Sequence, residues 1–271
     1  MVRIGLNLRR RPQPHNVILL GLLTLILAGN GLVHLEWTGI SSDTVGAGLR
    51  LGLLTIAVLI AIIGGRVIPG FTKNALVRRA MTDNLPVNHG ALSKGGIISA
   101  VLLALAVAAG LPDAVLGIVA LAAALLNGAR LAGWRWQKTL DEPILWSLHL
   151  AFAMLVLGYG ALATAYLTGW PGEIAALHVT GIGAIGGMTL AMMSRASLGH
   201  TGRALTVSRQ TALAYLAIAA AALIRAFAPT LAPGFYDAVM MISGALWVTG
   251  FALFVAAYWP ILTGPDQPRQ R

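Results

Sequence analysis

Long apolar runs, each broken by a short polar or turn-forming segment, alternate along this chain from residue 16 to residue 258. A helix needs about 20 apolar residues to cross a bilayer. On that measure the runs predict eight transmembrane helices, at about 16–36, 45–65, 95–111, 114–131, 143–167, 174–194, 210–228 and 236–258. The third and fourth are joined by Leu111-Pro112-Asp113, where proline ends one helix and opens the next. Thr168-Gly169-Trp170-Pro171-Gly172 separates the fifth from the sixth in the same way. The runs are continuous rather than alternating, which excludes a β-barrel, whose strands would show a two-residue period. The expected fold is therefore all-α, a polytopic transmembrane bundle in one domain over residues 1–271. The longest non-apolar stretch, 66–94, reads as a loop too short to hold a soluble domain.

Composition agrees. Hydrophobic residues make up 57% of the 271 and charged residues 10%, against about 25% charged in soluble domains. So few polar side chains cannot coat a water-soluble body, and membrane lipid is the expected outer solvent. The net charge of +10 does not point to nucleic acid, because its carriers sit between the apolar runs. Of 19 Lys and Arg, all but Arg50 and Arg225 fall on one side of the predicted spans. Glu36, Asp43, Asp113, Glu173 and Asp237 fall on the other. Positive residues mark the cytoplasmic side, so both termini are expected on the cytoplasmic side of the membrane. Arg3, Arg9, Arg10 and Arg11 precede an apolar stretch with no convincing cleavage site, and this stretch reads as an uncleaved anchor.

There is no cysteine, which removes thiolate metal ligands, iron–sulfur ligation and covalent haem attachment from this chain. Ionisable groups within spans are costly, and they point to chemistry. His34 and His178 fall at similar depth near the acidic side, and His149 falls in the opposite leaflet. Imidazole ligates haem iron and copper, yet it also makes interhelical hydrogen bonds, and spacing alone leaves both readings open. Gly183 and Gly187 form a small-xxx-small pair that admits another helix or a flat cofactor. Met188, Met192 and Met193 are either core filling or soft copper ligands. On the basic side, the segments after spans two and six each place an arginine at the helix end, Arg66 and Arg195, before Asn74 in one segment and His200 and Arg203 in the other. Such arginines anchor topology, neutralise propionates or hold an anion. Neither a P-loop, a zincin helix nor a nucleophile elbow is present, and no GxGxxG follows a strand.

GGRVIPGFTKNAL at 64–76 and LHVTGIGAIGGMTLAMMSRASLGHTGRAL at 177–205 resemble the signature segments of the NnrS family. LHLAF at 148–152, YWPIL at 258–262 and VHLE at 33–36 carry the likeness further, from about Asn16 to Leu262. The family comprises bacterial inner-membrane proteins associated with haem, copper and the response to nitric oxide. Its members have about twelve spans, the first four with an HxHEM-type motif, and this chain corresponds to the carboxy-terminal eight. The resemblance implies a b-type haem, with copper as a further metal. Its functional positions map onto His34, Arg66, Asn74, His149, His178, Arg195, His200 and Arg203. His178 is the expected axial ligand, because glycines follow it along the helix. His34 is the expected second ligand or its partner, and His149 belongs to a separate metal or hydrogen-bonding site. Another membrane subunit, or a respiratory or denitrification complex, is the expected partner. Two other classes compete: a structural accessory subunit, and a transporter of small anions or metal complexes.

Overall fold

The structure, a computed structural model, describes residues 14–267, and the arginines at positions 3, 9, 10, 11, 269 and 271 lie outside them. Every regular element among the described residues is helical, and eight helices are long and apolar enough to cross a membrane. They are α1 (Pro14–Trp37), α2 (Val45–Arg78), α3 (Gly90–Ala108), α4 (Asp113–Ala132) and α5 (Pro143–Thr168). The sixth crossing is composite: α6 (Glu173–His178), a π-helical stretch (Val179–Gly186) and α7 (Gly187–His200). α8 (Arg209–Leu231) and α9 (Tyr236–Thr263) complete the bundle.

α5 stands at the centre. It packs against α2, α4, α6, the π-helical stretch, α7 and α8, and Leu148, Phe152, Leu155, Tyr159 and Leu162 along it are almost wholly buried. α1 packs principally against α2, and α9 against α8 and α7. Close helix pairs form where glycine removes the obstacle. A Cβ on Gly48 would strike the carbonyl of Gly29, so α1 and α2 approach to backbone distance there. The α1–α2 turn is tied by Thr44, which donates to the Leu32 carbonyl at 2.8 Å, and by Glu36, which accepts from the Val45 amide at 2.6 Å. Opposite the basic face, Arg50 of α2 forms a two-pronged pair with Glu173 at 2.6 and 2.7 Å, and the Tyr166 hydroxyl donates to the same carboxylate at 2.6 Å. α2, α5 and α6 are thereby fastened together.

The helices differ from the predicted runs chiefly at the basic face. α2 continues to Arg78 rather than stopping at 65, the sixth crossing continues to His200 rather than 194, and α9 ends at Thr263 rather than 258. The third crossing opens at Gly90, five residues early. The stretch read as a thirty-residue loop is thus mostly helix, since polar residues suit a helix that emerges from lipid as well as they suit a loop. What remains is compact. The Val87 amide donates to Gly133 at 3.0 Å, Lys138 donates to the Asp83 carbonyl at 2.7 Å, and Arg79 pairs with both Asp141 and Glu142. An even number of crossings returns both ends of the described chain to this face, where the Gln267 amide donates to the Thr201 carbonyl at 3.0 Å.

Candidate functional site

The GGRVIPG segment keeps its helix despite a proline. Pro69 has no amide proton, so the carbonyl four residues earlier, Gly65, loses its helical partner. Asn88 supplies a replacement, donating from Nδ2 to that carbonyl at 3.2 Å. The glycines serve packing. Gly64 lies against Phe152 and Met188, and a Cβ on Gly65 would collide with the guanidinium of Arg130.

Arg130 is one of the basic residues on the basic side of the spans, and it is only 3% exposed. Its Nη1 donates to Asn127 Oδ1 at 2.7 Å, and Asn127 Nδ2 donates in turn to the carbonyls of Gly96 and Ala123 at 3.0 and 2.9 Å. The guanidinium also lies over the rings of Trp134 and Phe152, 5.7 and 5.8 Å from their centroids. It belongs to none of the ion pairs among the described residues. The readable signal was Asn127 and Arg130, two polar residues one turn apart on an otherwise apolar helix.

His149 is also buried, 4% exposed. Its Nε2 lies 2.9 Å from the Thr72 hydroxyl, whose proton goes to the Ile68 carbonyl at 3.0 Å. His149 Nε2 is therefore the donor of that pair, and Nδ1, which has no partner, keeps its lone pair. Beside the imidazole lies a mainly apolar cavity of about 440 Å³, walled by Leu131, Trp136, Trp146, Leu150 and Leu216.

His178 is half-buried, in the opposite leaflet. Its Nδ1 donates to the Ile174 carbonyl one turn earlier, at 2.7 Å. Nε2 is then the acceptor, and among the described residues Arg225 Nε donates to it at 3.4 Å, with Met240 packed against the same guanidinium. The glycines after it are filled by neighbouring helices: a Cβ on Gly183 would meet Met154 and Ala222, and one on Gly187 would meet Ala151. They serve helix packing. His34 is exposed in the last turn of α1, edge-on to Trp37 at 5.5 Å, and neither a hydrogen bond nor a ring contact joins it to His178.

The two signature segments do meet. Arg195 stacks over Phe71, with Cζ 3.8 Å from the ring centroid. Arg66, Asn74 and His200 are exposed on the outer sides of their helices. Arg203 donates from Nη2 to the Pro265 carbonyl at 3.2 Å, tying the segment after α7 to the end of the described chain. Among the described residues no three or more His, Asp and Glu gather as a metal cluster.

A family model described as "NnrS protein" matches residues 1–266. Comparison with curated proteins and with solved structures gives no match.

Proposed function

Because this chain belongs to the NnrS family, we propose that it is a haem-binding protein of the bacterial inner membrane that acts in the response to nitric oxide, with copper as the alternative metal. The observation that carries the proposal is the setting of His178. A histidine that ligates a metal usually gives its other ring proton to a carbonyl or carboxylate, which sets the tautomer and raises the basicity of the ligating nitrogen. The hydrogen bond from His178 Nδ1 to Ile174 has this form, and Nε2, which accepts a long bond from Arg225 at 3.4 Å, is the nitrogen left to meet a metal. Arg225 beside it carries a positive charge suited to a propionate. The haem would be held without covalent attachment, as the chain has no cysteine. Bound there, haem iron supplies a coordination position for nitric oxide; the chain's own residues orient the imidazole and balance the charge. His149, with its free Nδ1 and adjoining apolar cavity, would belong to a separate site in the other leaflet.

The test is a redox difference spectrum and haem assay on protein purified from membranes. Wild type is expected to show a b-type spectrum, His178→Ala to lose it, and His149→Ala to retain it. If wild type carries no haem, or all of His34→Ala, His149→Ala and His178→Ala retain it in full, the reading fails and that of a structural accessory subunit replaces it.

A further inference from the structure

A second cavity, about 890 Å³, opens on the basic face beneath the RASLGHTGR segment. Its lining is divided. Arg78 and Arg203 supply charge, while Pro143, Ile144, Leu205 and Val207 supply an apolar wall. Asp141 and Glu142 also border it, and they share the single guanidinium of Arg79. Neither Arg78 nor Arg203 joins an ion pair among the described residues. Arg203 Nη1 is buried with no hydrogen-bond partner among the described residues, an arrangement that costs free energy until an acceptor fills it. Arg195, on the neighbouring turn, stacks on Phe71 within repulsive range of Arg78. Arg78 and Arg203 therefore line the groove without a paired carboxylate among the described residues, while Glu142 at its border attracts Arg195.

We infer that this groove binds a phosphate group, either the headgroup of an anionic phospholipid or phosphate free in solution. Guanidinium forks match phosphate oxygens in pairs. Basic pockets between the ends of membrane helices receive anionic headgroups. The apolar wall beside the arginines suits the glycerol and first acyl carbons of such a lipid. Free phosphate would use the arginines alone.

The inference does not depend on haem, and its test leaves haem content as an internal control. Purified protein in neutral detergent is offered phosphatidylglycerol or phosphatidylcholine, and the bound lipid is read by native mass spectrometry. A parallel arm follows the thermal unfolding midpoint in sodium phosphate against sodium gluconate at equal ionic strength. The expected result is selective retention of phosphatidylglycerol, or a saturable rise of the midpoint with phosphate. Arg203→Gln and Arg78→Gln are each expected to weaken the effect several-fold, and Arg78→Gln to leave the haem spectrum unchanged. The first outcome identifies the lipid as the source of the phosphate and the second the free ion. Equal retention of both lipids together with no phosphate effect overturns the inference, and so does wild-type binding in a folded double variant.

Discussion

Arg195 lays its guanidinium on the ring of Phe71, with Cζ 3.8 Å from the ring centroid. This contact joins α2 to α7 across the basic face. Lysine serves equally well as a topological anchor but does not stack as a flat guanidinium does. Arg195→Lys and Phe71→Leu should each lower stability, and a double-mutant cycle should show coupling of about 0.5–2 kcal/mol. Denaturant titration of the purified protein checks this, and coupling near zero would mean that Arg195 acts only as an anchor.

Gly65 and Gly70 lie on the same helix in opposite circumstances. A Cβ on Gly65 runs into Arg130, whereas one on Gly70 meets nothing within 4 Å. Gly65→Ala should cost about 1–3 kcal/mol, because the Arg130 guanidinium must leave its place over Trp134 and Phe152. Gly70→Ala should be neutral, or stabilise by about 0.5–1 kcal/mol through lost chain entropy. Equal effects on the unfolding midpoint at the two positions would remove Arg130 from the argument.

The carboxylate of Glu173 accepts from Arg50 and from Tyr166. The Arg50 and Glu173 side chains are 31% and 23% exposed, so solvent takes part of the pair's energy. Glu173→Gln should cost about 1–2 kcal/mol, and Tyr166→Phe about 0.5–1.5 kcal/mol. If thermal unfolding of Glu173→Gln matches wild type, the three-way tie contributes nothing to the bundle.

Orientation is open to a direct test. The basic residues on one face predict that face to be cytoplasmic. A reporter active only in the periplasm, fused after Arg271, should stay silent, and the same reporter placed in the 109–112 turn should give signal. The reverse pattern would invert the topology.

The eight crossings were legible because lipid demands a continuous apolar run, which little else in a sequence imitates. The ends of α2 and α7 were not, for a reason visible at Gly65 and Pro69. Those residues signal a break, and the donor that cancels the signal, Asn88, lies 23 residues away. The burial of Arg130 was not legible, since a basic residue at the end of a span is ordinarily explained by topology. Depth was readable for His34 and His178, but lateral position was not. α1 packs principally on α2, and sequence carries little information about which helices become neighbours. Of the candidate site, the setting of His178 could be anticipated only in part, because its hydrogen bond to Ile174 depends on a rotamer.

The exchange between Pro69 and Asn88 makes the sharpest prediction. Asn88 Nδ2 donates to the Gly65 carbonyl at 3.2 Å, while Ser93 donates to Asn88 Oδ1 at 2.6 Å. Asn88→Ala removes the side-chain donor that reaches this carbonyl and should cost about 1 kcal/mol. Pro69→Ala restores an amide proton at residue 69, and helix geometry aims it at the carbonyl four residues earlier, which is Gly65. In the Asn88→Ala background, Pro69→Ala should therefore recover most of the lost stability. In the wild-type background it should change little, since the carbonyl already has a partner. Unfolding midpoints of the four proteins decide the matter. If the double variant is no more stable than Asn88→Ala alone, then Asn88 acts through Ser93 and the linker before α3, and the proline is tolerated for some reason other than a borrowed donor.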